Sequence, residues 1–314
     1  MLQQHVYWAT WTPDSARKLG QMTGPYTTVY LAFSKPDSTY KKGSFTFNGS
    51  GMEFTDFAAA RDSIRLLRQK GIKVMLSVGG GVAKFLDVAP YANFQNAVDL
   101  ANDLGCDGID IDWEPERGSD VDYCFGPIIA GFKSRLSGTC QLLSAACWST
   151  GAYGKREGQN WCGMNIAGMI SNGNDLNWIN IMAYDSGPPS QYDALGAFTC
   201  YRSYYKGPLY LGMELGVQAW GGYLITKDQI VKQAEWVKKD GNGGTFVWEY
   251  QKDSTGTPNL VETAALVTSV FGCVPPQPPP PPTPQPPPPP TPLPVHTMTC
   301  PKCSTKLKLG LYSA

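Results

Sequence analysis

A chain of 314 residues, 42% of them hydrophobic, can bury a sizeable core as one large α/β domain or two small ones. Lysine plus arginine equals aspartate plus glutamate at 26 each, and no basic cluster large enough to follow a phosphate backbone occurs outside the last few residues, so a nucleic-acid partner is not expected. Only two histidines are present, His5 and His296, which leaves little for a histidine triad or a multi-histidine metal centre and turns attention to carboxylates.

The start, MLQQHVYWATW, lacks the basic segment, apolar stretch and small-residue cleavage site of a secretory signal. It runs directly into a predicted strand at 5–9. Further strands are predicted at 27–33, 73–78, 108–113, 142–147, 178–184, 209–213 and 245–250. Helical periods follow most of them, clearest at 54–71, 93–105, 126–138, 227–241 and 260–272, several ending in glycine as helix C-termini do. Eight strand-helix repeats before residue 273 fit a (β/α)8 TIM barrel of class α/β. A doubly wound sheet would carry a glycine-rich phosphate turn, and the glycines at 79–81 do not make one.

The composition then changes. Residues 274–294 are almost all proline, a polyproline II linker of roughly 65 Å. The tail, 295–314, is too short to bury a core without a staple or metal. Its Cys300 and Cys303, even with His296, fall one ligand short of a closed zinc site, so no metal and no cofactor is expected. Nine cysteines are scattered without a dense framework, and an odd number leaves at least one unpaired within the chain. No apolar run approaches the roughly 20 residues needed to span a bilayer, so no membrane partner is expected either.

The unusual segment is GCDGIDIDWEP, 105–115. On a strand, Asp110, Asp112 and Glu114 share one face and Ile109, Ile111 and Trp113 the other. The apolar face should meet the helices while the acids point into the barrel and rise toward its C-terminal mouth, where Pro115 ends the strand. Acids about 7 Å apart along a strand, in a partly desolvated mouth, cannot all ionise, and Glu114 nearest the mouth is the natural general acid. Asp107 is out of phase and should support the strand's beginning. No nearby run supplies basic residues for an ion-pair ladder, and ligands on one strand rarely converge on a metal ion unaided. Nine tryptophans and 16 tyrosines add flat surface of the kind that stacks on sugar rings.

DGIDIDWE resembles the D-x-x-D-x-D-x-E signature of family 18 glycoside hydrolases, the chitinases and related endo-N-acetylglucosaminidases. SVGG (77–80) is similar to the family's S-x-G-G, MAYD (182–185) to its M-x-Y-D, and GTFVWEY (244–250) to its last strand. The resemblance implies a catalytic barrel over 1–273 acting on chitin or N-acetylglucosamine oligosaccharides by a retaining mechanism in which the substrate's acetamido group is the nucleophile. Carried onto matching positions, Glu114 is the acid/base. Asp112 orients the acetamido N–H, Asp110 shares a proton with Asp112, and Tyr184 donates to the acetamido oxygen. Met182 and Asp185 belong to the same substrate-binding segment, and Trp248 floors the sugar site. Ser77 would support Asp110, with Gly79 and Gly80 turning the chain beside the acids. Tyr7 and Phe33 would line the pocket bottom; Trp11, Tyr153, Trp161 and Trp220 are candidates for outer subsites.

Only the stretch from Glu214 to Gly244 joins the last two strands, which leaves no room for the small α+β insertion of many processive members and suggests an open cleft with endo-cleavage. The resemblance leaves two alternatives to a chitinase: an endo-β-N-acetylglucosaminidase acting on N-glycan cores, and a non-catalytic chitin-binding lectin, which would typically lack the acid at Glu114. A monomer acting outside the cell is expected.

Overall fold

The computed structural model describes residues 2–81, 93–114, 125–152, 175–185, 193–216, 218, 222–252 and 258–272, with the backbone of 153, 296–299 and 306–309. Backbone contacts divide the chain into Met1–Pro279 and Pro280–Ala314. In the first unit eight parallel strands close in sequence order into a barrel. They are β1 (Gln3–Ala9), β2 (Tyr26–Ser34), β3 (Lys73–Gly79), β4 (Gly108–Asp112), β5 (Leu142–Trp148), β6 (Trp178–Met182), β7 (Leu209–Glu214) and β8 (Gly243–Trp248). The helices between them are α1 (Ser15–Lys18), α2 (Phe57–Gln69), α3 (Phe94–Leu104), α4 (Phe125–Lys133), α5 (Ala194–Tyr204), α6 (Lys227–Asp240) and α7 (Leu260–Phe271). The expected (β/α)8 TIM barrel is present.

Strand alternation builds two apolar layers. Ile109, Ile111, Ile179, Ile181, Leu209 and Leu211 face outward into a core shared with the helices. Trp113 joins them, stacking on Phe125 of α4 with ring centroids 5.3 Å apart. The intervening positions fill the barrel with an aromatic cluster of Tyr7, Tyr30, Trp178, Tyr210, Phe246 and Trp248. A TIM barrel's interior is a packed core, so chemistry is confined to its C-terminal rim.

Helix ends follow local chemistry more closely than periodicity. Asp56 caps α2 by accepting from the Ala59 N–H, so the helix begins at Phe57 rather than at 54. Capping boxes at Thr226/Gln229 and Asn259/Glu262 open α6 and α7, which match the expected spans closely. α4 stops at Lys133, short of the predicted 138. α5 has no predicted counterpart, because ALGAFTCYRSY mixes glycine, threonine and aromatic residues that are weak helix formers.

Three strand ends also move. β6 stops at Met182 and β4 at Asp112, so Tyr184, Asp185, Trp113 and Glu114 lie just past the sheet, on the rim. β8 is shifted two residues toward the N-terminus, because Gly243 and Gly244 allow close approach of the β7 and β1 backbones. A Cβ at either glycine would lie 1.8 Å from a carbonyl oxygen of those strands.

The second unit contains an antiparallel pair, β9 (His296–Thr299) with β10 (Lys306–Leu309). The proline-rich stretch 274–294, Cys300 and Cys303 lie outside the described residues. No helix among the described residues is long and apolar enough to cross a membrane.

Candidate active site

Sheet register decides what surrounds each acid of β4. Asp110 sits level with Ser77 of β3 and Ser144 of β5. Both hydroxyls donate to it, Ser77 Oγ to Oδ2 at 2.8 Å and Ser144 Oγ to Oδ1 at 2.6 Å. Tyr7 adds its hydroxyl to Oδ2 at 2.8 Å, and Asn180 Nδ2 approaches Oδ1 at 3.4 Å. Asn180 is itself held by Tyr30, whose hydroxyl donates to its Oδ1 at 3.2 Å. Burial raises the Asp110 carboxyl above its usual range, and the Ser144, Tyr7 and Ser77 hydroxyls oppose that rise.

One rung higher the neighbours change. Asp112 is level with Gly79 and Ala146, which have no side-chain donor to offer. It is 4% exposed and its Oδ1 has no hydrogen-bond partner. Burial, then the charges of Glu114 and Asp110, push its carboxyl well above the ordinary range. Glu114 was expected as the general acid and Asp112 was expected to share a proton with Asp110; what the sequence did not show is that Asp110 has donors level with it and Asp112 has none. Glu114, just past the strand and half-buried, accepts from Trp148 Nε1 at 3.2 Å. Gly81 lies beside this carboxyl, where a Cβ would stand 3.5 Å from Glu114 Oε1, an ordinary contact.

Asp107 turns away as expected. It pairs with Arg68 of α2 at 3.0 Å and accepts from the Val74 N–H at 2.8 Å, pinning the start of β4 to β3.

An aromatic wall runs outward from the acids. Phe33 stacks on Trp248 with centroids 5.6 Å apart and planes at 18°. Trp11, 43% exposed, continues the stack at 6.3 Å from Phe33. Gly80 has φ +82°, and a Cβ there would meet the Phe33 ring at 2.9 Å, so this turn requires glycine. Tyr184 packs edge-on to Phe246, and burial, followed by the charges of Asp112, Glu214, Glu114 and Asp185, raises its phenol far enough to keep it a donor. Met182 is buried in the same interior cluster. Trp161 and Trp220 lie outside the described residues, as does the side chain of Tyr153.

Sequence reading missed five residues of the mouth: Ser144, Trp148, Asn180, Glu214 and Glu249. Glu214 ends β7 level with Trp248, and Glu249 follows Trp248. Among the described residues, ten buried side-chain polar atoms lack a partner, and four of these line the mouth: Asp112 Oδ1, Glu214 Oε1, Trp248 Nε1 and Glu249 Oε2.

Sequence comparison assigns the barrel and its β4 motif to a family. The family model "Glycosyl hydrolases family 18" matches residues 3–203, and the chain belongs to that family. Acidic endochitinase SE2 of Beta vulgaris is 23% identical over 270 residues, covering 79% of this chain and 87% of that protein. A class V chitinase of Arabidopsis thaliana is 26% identical over 148 residues, which span 39% of this chain and 36% of the relative. The fold is shared with a GH18 chitinase from Pseudoalteromonas aurantia, at TM-score 0.63 and 17% identity over 85% of this chain and 99% of that one. It is shared equally with the chitinase-like agglutinin of Robinia pseudoacacia, at TM-score 0.61 and 18% identity, again covering 85% and 99%.

Proposed function

We propose that the protein is an endo-acting chitinase, cleaving β-1,4 bonds between N-acetylglucosamine units with retention of configuration. The observation that carries this reading is the vertical grading of three acids on one strand. Asp110 is saturated by donors, Asp112 has a buried acceptor oxygen with nothing on it, and Glu114 stands at the rim. Asp112 and Glu114 lie on the same side of any bond held at the mouth, so neither can attack the anomeric carbon from the face opposite the leaving group.

The acetamido oxygen of the substrate can. Glu114 gives its proton to the glycosidic oxygen as the bond to the anomeric carbon breaks, while the acetamido oxygen forms a bond there to give an oxazolinium ion. Its N–H fills the vacant position at Asp112 Oδ1, and as the proton that Asp112 shares with Asp110 moves onto Asp110, the Asp112 carboxylate offsets the positive charge. Tyr184 donates to the acetamido oxygen and orients it. Water then adds from the side the leaving group vacated, returning a proton to Glu114, and the product is the β-anomer. Trp248 and Phe33 supply the apolar floor, and Asp185 contacts the sugar. The same reading has the protein acting outside the cell as a monomer.

Incubation with chitin oligomers and, in parallel, a high-mannose glycoprotein tests the substrate, with proton NMR of the fresh product. Initial α-anomer, or brisk cleavage beside a sugar whose acetyl group has been removed, would overturn the mechanism. Cleavage of the glycoprotein alone would favour an endo-β-N-acetylglucosaminidase. The likeness to an agglutinin supports a second reading as a chitin-binding lectin. Glu114, with Trp148 bonded to it, argues for the enzyme, and binding of oligomers without any hydrolysis would decide for the lectin.

A further inference from the structure

The β7 side of the mouth carries an acid that the mechanism above does not use. Glu214 faces inward at the end of β7, in line with Tyr210 and Gly212, and is 2% exposed. It is hydrogen-bonded to Asp185, which follows β6, and since Oε1 has no partner the bond runs through Oε2. A loop closes over the pair: the Tyr223 N–H donates to Asp185 Oδ1 at 3.2 Å. Gly222, at φ +100°, makes that approach possible, since a Cβ there would lie 2.5 Å from Asp185 Oδ1 and 2.9 Å from Glu214 Oε2.

Two carboxyl groups in contact must share a proton. Burial, the Asp185 charge and the hydrogen bond to Asp185 raise the Glu214 carboxyl to about 9, with Lys252 opposing and Glu249 adding to the rise. Glu249, itself pushed up to about 6 by burial, faces the pair from the end of β8, and Tyr184 faces it from the β6 side, with Asp112 and Glu114 beyond. A buried acid kept neutral by its neighbours costs stability relative to an apolar residue of the same size. Nothing in the packing returns that cost, because one of its two oxygens bonds to nothing. Among the described residues no group of three His, Cys, Asp or Glu is placed to hold a metal ion.

We infer that Glu214 is a sugar-binding residue, whose carboxyl donates to Asp185 through Oε2 and presents Oε1 as the acceptor for a hydroxyl group of a carbohydrate chain lying against Trp248. The inference rests on the carbohydrate reading of the site but not on catalysis. Loss of the Glu214 proton removes the donor to Asp185 and sets two like charges side by side, so affinity falls as pH rises through the value of this carboxyl.

The test measures N-acetylglucosamine oligomer binding by calorimetry from about pH 6 to about pH 10, using the full chain carrying Glu114→Gln so that no ligand is consumed. Adding Glu214→Leu should weaken binding at least about tenfold at neutral pH, and Glu214→Gln, which still donates and accepts, should recover most of that loss. The alkaline weakening of the parent should be absent in the glutamine variant. Thermal unfolding of each variant separates a lost contact from a lost fold. Leucine binding as well as glutamate, an alkaline weakening that persists with glutamine, or no binding by the parent would overturn the inference. Hydrolysis by the wild-type chain is scored separately. A protein that binds through Glu214 yet cleaves nothing sinks the chitinase reading and leaves this one standing, and active protein indifferent to Glu214→Leu does the reverse.

Discussion

The two sides of the barrel mouth treat buried acids in opposite ways. On the β3–β4–β5 side, Asp110 receives three hydroxyls within 2.8 Å, two of them from residues level with it in the sheet. On the β6–β7–β8 side, Glu214 and Glu249 are nearly as buried, yet each has an oxygen with no partner. Depth alone therefore does not set the state of an acid here. What stands beside it across the sheet does, and Asp112 shows this most economically: two residues from Asp110 on the same strand, it has glycine and alanine for neighbours where Asp110 has two serines.

The largest expected effect isolates the one acid at the rim. Glu114→Gln should lower turnover of chitin oligomers by about 10²–10⁴-fold or more, while oligomer binding stays within a few-fold. Turnover near the wild-type rate would sink the grading of the three acids.

The next tests contrast the two sides directly. Ser144→Ala removes a 2.6 Å bond from Asp110 and should lower unfolding free energy in urea by about 1–3 kcal/mol, with turnover down roughly tenfold. Glu214→Gln should act in the other direction. Its carboxyl is raised to about 9 from an ordinary 4.5, so the folded protein retains a proton that the unfolded chain releases, and stability declines as pH rises between those values. Glutamine removes that slope. The variant should melt higher than wild type at about pH 8, by a free energy on the order of a few kcal/mol, with the gain vanishing near pH 4. Thermal melts at both pH values check it, and equal destabilisation by the two substitutions would erase the contrast between the sides.

The smallest pair of effects concerns adjacent glycines under the acids. Gly80→Ala combines a positive φ with a clash against Phe33 and should cost about 1–3 kcal/mol. Gly81→Ala meets only ordinary contact distances and should stay within about 0.5 kcal/mol of wild type by the same urea assay.

Everything that depends on alternation along one strand was legible beforehand. The inward run of Asp110, Asp112 and Glu114, the outward run ending in Trp113, and the reversed direction of Asp107 all follow from a period of two. Ser77 could be assigned to Asp110 because SVGG marked its place at the end of the third strand. Ser144 and Asn180 could not, although both sit at inward positions of strands that were recognised. Which residue of β5 stands level with Asp110 depends on stagger between strands, and a single sequence carries no direct record of stagger. Glu214 was hidden for another reason: an acid at a strand end normally reads as a solvated terminus, and only the fold of residues 222–223 over it shows that it is covered.

The outward face of β5 gives the molecule a built-in reporter. Cys147 lies on it, fully buried, and Cys106 and Cys140 are buried beside the starts of β4 and β5; none of the three is in a disulfide. Burial pushes the Cys140 thiol up to about 12 and the other two well above their usual value, so at neutral pH the closed structure presents no thiolate to an alkylating reagent. Labelling at these three positions then proceeds through transient local opening of the layer between the strands and the helices, and its rate under native conditions counts how often the packing behind the acid-bearing strand comes apart.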